Sequence, residues 1–163
     1  MALSADDLRA LLEAHGIRTV LIGAHAANRY RLEVRHTLDV DLLVTTLVGA
    51  AQVLRDAGCV VREVEEDGAT YLVTARHGTT IVDLLLAETE YQRTAMTRAV
   101  DGVLTAEDVI VHKLIAGRPR DIDDIRSILA AGVALDHRYI EAQARDWEVV
   151  ERWEGLGRPD GDG

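Results

Sequence analysis

The sequence predicts an α/β (α+β) fold, in which a mixed sheet flanked by helices precedes a small helical C-terminal section. Apolar runs rich in Val, Ile, Leu and Thr recur between about residues 17 and 87, as is typical of strands. Residues 105–154 instead carry helix-start patterns and apolar residues at helical spacing. The 163 residues are 48% hydrophobic, so we expect one domain over residues 1–154. Residues 155–163 are rich in Gly and Asp, which predicts a disordered tail.

The first third of the chain alternates helices and strands. Ser4 and Asp7 form a capping-box pattern, and Gly58 closes the helix that precedes it. The expected elements are a helix over Leu8–Ala14, a strand over Thr19–Ile22, a helix from Gly23 to between Tyr30 and Glu33, a strand over Leu38–Val44 and a helix over Val48–Ala57.

The rest of the chain starts with hairpins and ends in helices. Gly68 and Gly78 lie at turn-type breaks between apolar runs, while Thr105 and Asp136 are residue types that cap helices. The expected elements are strands over Val60–Glu65, Thr70–Ala75 and Thr80–Ala87, then helices from Thr105 to about Ala116, over Ile122–Ala130 and from Asp136 to about Trp153.

The net charge of −10 limits the partners of the protein. It argues against broad, nonspecific binding to a nucleic-acid backbone, which requires basic surface. Two local groups of basic residues could still bind a compact anion such as a triphosphate. These groups are Arg29, Arg31 and Arg35, and Lys113, Arg118 and Arg120.

Cysteine use and hydropathy indicate the compartment. The single cysteine, Cys59, cannot form an internal disulfide, which fits a reducing environment. The N-terminus lacks the basic start and apolar run of a signal peptide. No apolar stretch approaches the roughly 20 residues needed to span a bilayer. We therefore expect a cytoplasmic protein without a membrane partner.

Three aspartates on two apolar strands are the main candidate for chemistry. Asp39 and Asp41 lie two residues apart, so both side chains point to the same face of a strand. Their neighbours are apolar, and adjacent carboxylates repel each other unless a cation lies between them. A divalent metal is the simplest such cation, and a strand end with both carboxylates in water is the alternative. Asp83, on a second apolar strand, could complete the site, although backbone donors or an arginine could satisfy it instead.

A glycine follows the first predicted strand and opens a helix. Backbone N–H groups at such a position favour a phosphate, and Gly23 lets the backbone approach a ligand closely. Ala24 adds an amide but no side-chain donor. An ordinary strand-to-helix turn is the alternative interpretation of Gly23.

A lysine and two aspartates near the C-terminus form a second candidate group. Lys113 lies within an apolar helical run, and its ammonium could reach a phosphate. Asp121 and Asp124 are three residues apart on one helix face, where they could orient Lys113 or Arg118, or contact the ligand. A surface ion-pair cluster is the alternative.

These motifs resemble a known family. The runs are Leu21-Ile22-Gly23-Ala24-His25-Ala26, Arg35-x-Thr37-x-Asp39-x-Asp41, the strand residue Asp83, and the segment from Glu107 to Ile125. Together they resemble the polymerase-beta-type nucleotidyltransferases, and the last segment resembles minimal nucleotidyltransferases of the AbiEii toxin type. The resemblance covers about residues 17–130 and implies a nucleotidyltransferase-like sheet.

The resemblance implies a role for each motif. Asp39 and Asp41 would hold Mg²⁺, or Mn²⁺, and Asp83 would bind a second metal or act as general base. The nucleotide would be placed by Gly23, Ala24, Arg35, Thr37 and Lys113, with Arg118, Asp121 and Asp124 supporting them. The chain departs from the family at Ala24, where a second Gly or a Ser is usual.

The implied activity is transfer of a nucleoside monophosphate from a nucleoside triphosphate such as ATP to a hydroxyl, releasing pyrophosphate. By resemblance, the acceptor is a tRNA, a protein or a small molecule, and the enzyme could be the toxin of a toxin–antitoxin pair with a cognate antitoxin. A catalytically degenerate protein that binds a nucleotide or a partner is the alternative. A metal-dependent phosphohydrolase is a weaker one, because the histidines lack metal-ligand spacing.

Overall fold

The computed structural model describes residues 2–156, which contain five strands and eight helices. The strands are β1 (Thr19–Ile22), β2 (Asp39–Val44), β3 (Val60–Glu66), β4 (Ala69–His77) and β5 (Thr80–Leu86). The helices are α1 (Ala5–Ala14), α2 (Gly23–Ala27), α3 (Ala50–Asp56), α4 (Glu90–Arg98), α5 (Ala106–Ala116), α6 (Pro119–Ala130), α7 (His137–Asp146) and α8 (Val150–Leu156).

The described residues form two compact units. The first unit comprises the residues up to His25 together with His36–Leu104, and it holds the sheet. The second unit comprises Ala26–Arg35 together with the residues from Thr105 onward, and it is helical. No helix among residues 2–156 has both the length and the apolar composition that crossing a membrane requires.

The sheet of the first unit has the strand order β1-β2-β5-β4-β3. Strands β2 and β5 run parallel, and every other neighbouring pair runs antiparallel. The predicted mixed α/β fold with flanking helices is therefore confirmed. The parallel pair lies at the centre of the sheet, and it carries all three aspartates that the sequence analysis singled out.

Alternation of side chains gives the sheet two different faces. Val40 and Leu42 on β2, and Val82 and Leu84 on β5, are buried on one face. Helices α1 and α3 contact the strands and cover this apolar face. Asp39, Asp41 and Asp83 alternate with these residues, so they lie on the opposite face. Each carboxylate thus sits beside the core without being inside it.

The second unit packs helix against helix. Helix α5 contacts both α6 and α7, and α7 contacts α8. Ile110, Leu114, Ile125, Ile128 and Ile140 are fully buried, so they form its apolar core. The part of Ala26–Arg35 that follows α2 is joined to α6, where the Leu32 backbone N–H donates to the Ser127 carbonyl at 3.1 Å.

The predicted strands all form, but several helices differ from the prediction. Helix α2 ends at Ala27, short of the expected 30–33. Helix α6 begins at Pro119, three residues early, because proline suits the first helical position, where its missing N–H is not needed. Helix α4 was not predicted, although Thr89 and Gln92 form a complete capping box at its start.

The predicted last helix is two helices. Glu148 adopts a positive φ of 58° between them, which breaks the helical hydrogen bonding. Helix α8 then continues to Leu156, so the first two residues of the predicted tail are helical. The remaining tail residues, 157–163, lie outside the described part of the chain.

Candidate active site

The parallel strands bring the three predicted aspartates onto one face. Asp39 and Asp41 are separated by the buried Val40, and Asp41 lies directly opposite Asp83 in the β2–β5 register. Parallel neighbours in register place their side chains on the same side of the sheet. Asp39 is exposed, whereas Asp41 and Asp83 are half-buried. We call these three residues the carboxylate face.

Asp83 has one hydrogen-bonding neighbour that the sequence analysis missed. Thr74, on β4, lies opposite Asp83, and its Oγ1 donates to Asp83 Oδ1 at 2.6 Å. The signal was present in the sequence, because the predicted turn at Gly78 pairs His77 with Thr80. Counting outward from that pair reaches Thr74 and Asp83.

Gly23 is in contact with Asp41. It has a left-handed φ of +67°, and a Cβ added there would lie 2.5 Å from Asp41 Oδ2 and 3.2 Å from Asp41 Cβ. No side chain fits in that space unless the carboxylate moves. Gly23 and Ala24 form the first two residues of α2, directly after β1. The turn predicted to bind phosphate therefore abuts the carboxylate face.

The carboxylate face has the oxygen ligands that a divalent cation prefers, but it does not supply a complete set of metal ligands. Carboxylate oxygens are the hard ligands that Mg²⁺ prefers. Among residues 2–156, no three His, Cys, Asp or Glu side chains are close enough to hold a metal ion by themselves. Mg²⁺ is commonly held by one or two carboxylates, with substrate phosphates and water completing its shell. The residues therefore fit a cation that arrives with a phosphate ligand.

The second unit contains a buried ion cluster, which we define as Asp121, Asp124, Lys113, Arg31, Arg35 and Arg118. Asp124 is fully buried and accepts from Lys113 Nζ at 2.8 Å and Arg35 Nη2 at 2.9 Å, and it also pairs with Arg31. Asp121, also fully buried, pairs with Lys113 Nζ at 3.2 Å and Arg118 Nε at 2.7 Å.

The ion cluster carries more positive than negative side chains. Two carboxylates face four cationic groups, and the Arg35 and Arg118 side chains remain 33% and 55% exposed. Burial raises the pKa of Asp121, but hydrogen bonds from Arg118 and Lys113 outweigh it and hold the pKa below its usual value. Asp121 and Asp124 thus pair with Lys113 and the arginines, and their support of a nucleotide site stays a prediction.

The remaining predicted residues occupy the segment before β2. Asn28 fixes this segment, because its side-chain amide donates to the Arg35 carbonyl at 2.8 Å and accepts from the Arg35 N–H at 3.0 Å. The strand begins at Asp39, so the half-buried Thr37 precedes it and is not part of its alternating face. The nucleotide contacts of Arg35, Thr37 and Lys113 stay predictions.

Comparison with solved structures defines the class of fold. The solution structure of the antibiotic-resistance factor ANT(2'')-Ia matches with a TM-score of 0.61 at 17% identity, covering 91% of this chain and 90% of that chain. A crystal structure of ANT(2'')-Ia in complex with adenylyl-2''-tobramycin gives a TM-score of 0.58 at 16% identity, covering 90% and 94%.

A third solved structure agrees. An antigenic nucleotidyltransferase-like protein from Paracoccidioides brasiliensis has a TM-score of 0.57 at 17% identity, covering 98% of this chain and 92% of that chain. No protein-family model and no curated protein matches the chain. The chain therefore has a nucleotidyltransferase-like fold, and its resemblance to the AbiEii toxin type stays a prediction.

Proposed function

We propose that this protein is a metal-dependent nucleotidyltransferase, which moves a nucleoside monophosphate from a nucleoside triphosphate to an acceptor hydroxyl. The observation that carries the proposal is the carboxylate face, in which Asp41 and Asp83 are opposite each other on parallel strands and Asp39 is on the same side. Carboxylates on one face of neighbouring strands repel one another, and a divalent cation bound among them would offset that repulsion. The nucleotidyltransferase-like fold supports a cation brought in with a triphosphate.

The reaction requires one bond to form and one to break. The acceptor oxygen bonds to the α-phosphorus, the bond from that phosphorus to the pyrophosphate oxygen breaks, and the acceptor proton is taken up by a base. Asp83 is the carboxylate we assign to that proton or to a second cation, while Asp39 and Asp41 hold the first. A bound Mg²⁺ or Mn²⁺ would supply charge neutralisation at the phosphates.

The turn at Gly23 is assigned to the triphosphate. Gly23 and Ala24 offer backbone N–H groups beside Asp41, and the absence of a Gly23 side chain lets the Asp41 carboxylate lie against this turn. Ala24 provides no hydroxyl, so phosphate binding here depends on amides and cation alone. Within the helical unit, Asp121 and Asp124 hold Lys113, Arg35 and Arg118 by ion pairs, and a role of these cations in phosphate binding rests on the family resemblance alone.

A small-molecule hydroxyl is the acceptor we favour over RNA or protein. ANT(2'')-Ia, which shares the fold, was crystallised with an adenylylated tobramycin. A net charge of −10 also disfavours a polyanionic acceptor. A toxin role with a cognate antitoxin rests on the AbiEii resemblance alone. Growth arrest on expression, relieved by Asp41→Asn, would support that role, and unaffected growth would oppose it.

The central test is binding and turnover with matched aspartate variants. Wild type should bind ATP or another nucleoside triphosphate in the presence of Mn²⁺ by calorimetry, and it should release pyrophosphate with a suitable acceptor. Asp39→Asn and Asp41→Asn should abolish release while leaving the melting temperature nearly unchanged. Asp67→Asn is the control, because Asp67 is exposed in the β3–β4 turn at a φ of 51° that Asn tolerates. Wild type that binds no triphosphate would contradict the proposal.

A nucleotide-binding protein without catalysis is the second candidate. Two observations favour it: Ala24 in the phosphate turn, and the lack among residues 2–156 of three metal-binding side chains already grouped together. This candidate predicts triphosphate binding that needs Asp41, with no pyrophosphate release from any acceptor class. Release that is lost in Asp83→Asn would exclude it.

A further inference from the structure

Thr74 is hydrogen-bonded to the Asp83 carboxylate. The two residues lie opposite each other on β4 and β5, both are half-buried, and the Thr74 hydroxyl donates to Asp83 Oδ1 at 2.6 Å. Within the described residues 2–156, the Thr74 hydroxyl is the donor that the structure places on the Asp83 carboxylate. The orientation of this carboxylate therefore depends on that hydroxyl.

A carboxylate needs such a partner to hold a fixed direction. The terminal torsion of aspartate is broad, so the side-chain rotamer alone does not fix its two oxygens. A hydroxyl donating to an ionised carboxylate forms one of the stronger hydrogen bonds in proteins. Threonine suits the task, because its branched Cβ restricts χ1 and fits the strand. Oδ2 is left for a ligand.

We propose that Thr74 is a positioning residue for nucleotidyl transfer, which holds Asp83 so that Oδ2 can receive a cation or the acceptor proton. The inference rests on the proposed function, since it assigns Asp83 to the reaction. It adds a residue from the β4–β5 hairpin to a site otherwise built from β2, β5 and the turn at Gly23. Partners that orient ligating carboxylates typically contribute about 10- to 100-fold to metal affinity or activity.

The test compares hydroxyl-bearing and hydroxyl-free residues at position 74. Thr74→Val keeps the shape and removes the donor, and Thr74→Ser keeps the donor. We expect Thr74→Val to weaken Mn²⁺ binding, measured by calorimetry with a nonhydrolysable nucleoside triphosphate, by about 10- to 100-fold. Thr74→Ser should restore it. Thr74→Ala gives a second hydroxyl-free variant if Thr74→Val folds poorly.

Two controls separate positioning from packing. Thr70→Val changes a half-buried threonine on the same strand that makes no side-chain hydrogen bond to Asp83, and it should leave Mn²⁺ binding unchanged. In an Asp83→Asn background, Thr74→Val should not weaken Mn²⁺ binding further, because Thr74 acts through the Asp83 carboxylate. Equal losses in Thr70→Val and Thr74→Val, or an unaffected Thr74→Val, would overturn the role of Thr74 while leaving the proposed function standing. Wild type that binds neither Mn²⁺ nor triphosphate would overturn both.

Discussion

At the residue scale, a close neighbour constrains each of the two half-buried aspartates. Gly23 packs against Asp41 closely enough that no Cβ fits between them. Thr74 donates its hydroxyl to Asp83. A small residue and a hydrogen-bond donor are different means of fixing a carboxylate, one by shape and the other by direction. Catalytic groups must be held within a fraction of an ångström of their working positions, so both neighbours matter to the proposed chemistry.

Replacing Gly23 should affect the site more than the fold. Gly23→Ala introduces a Cβ 2.5 Å from Asp41 Oδ2 and also strains a left-handed φ of +67°. We expect a stability loss of about 1–2 kcal/mol from the backbone and a fall in turnover of about 100-fold from the displaced carboxylate. Thermal melting and pyrophosphate release measure the two effects.

Gly16→Ala is the matched control for that substitution. Gly16 has a similar φ of +79°, but a Cβ there meets no atom within 4 Å. The control should lose similar stability and retain turnover. If both variants lose turnover equally, contact with Asp41 is not what makes Gly23 necessary.

At the element scale, helix α6 separates its acidic residues by face. Asp121 and Asp124 lie one turn apart and are fully buried, while Asp123 between them is 70% exposed. Helical spacing predicts this shared face for the first two residues. The cations that neutralise them come from α5, from the segment at Arg31 and Arg35, and from Arg118 at the start of α6. Helix α6 can bury these carboxylates because the segments that carry the cations form ion pairs with it.

Neutralising Asp124 should destabilise the second unit strongly. Asp124→Asn leaves Arg31, Arg35 and Lys113 without their shared carboxylate, and removing one partner of a buried ion pair costs about 3–5 kcal/mol. Asp123→Asn is the adjacent control, because it breaks only an exposed contact with Arg126 at 3.5 Å and should change stability by less than about 1 kcal/mol. Urea denaturation followed by tryptophan fluorescence measures both. A loss of stability in Asp124→Asn as small as that in Asp123→Asn would show that the ion pairs of Asp124 contribute no stability.

At the scale of the whole molecule, ionisable groups and fluorescent probes are unevenly distributed. The chain has two tryptophans, Trp147 and Trp153, and both belong to the helical unit. The same unit contains His112, whose burial lowers its pKa from the usual 6.5 to about 4. It also contains Asp121, whose pKa is held below its usual value. Intrinsic fluorescence therefore reports on the unit whose stability should depend on pH.

Acidification should weaken that unit in two steps. Below pH 6.5 the unfolded chain protonates His112 while the folded chain does not, so stability falls between about pH 6.5 and pH 4, by at most about 3 kcal/mol. Asp121 contributes stability above its usual pKa of 3.8 that is lost as the pH falls further. His112→Gln should flatten the first step, whereas His15→Gln, an exposed histidine in the first unit, should not. An unchanged first step in His112→Gln would contradict the assignment.

Local sequence sufficed to predict the strands and most helices, and to predict that Asp39, Asp41 and Asp83 lie on strands. Alternation along a strand and capping at a helix end depend on residues only a few positions apart. Local sequence also sufficed for helix α4, which was not predicted, because its capping box is a pattern in the sequence.

Only the tertiary structure decided which distant groups meet. The contact of Gly23 with Asp41, and the convergence of Arg31, Arg35 and Lys113 on Asp124, join residues that are 11 to 93 positions apart. Such pairings depend on strand order and on where a chain segment returns, which no local pattern encodes. Burial then gives these contacts their strength, since a carboxylate removed from water must find its cation or donor within the fold.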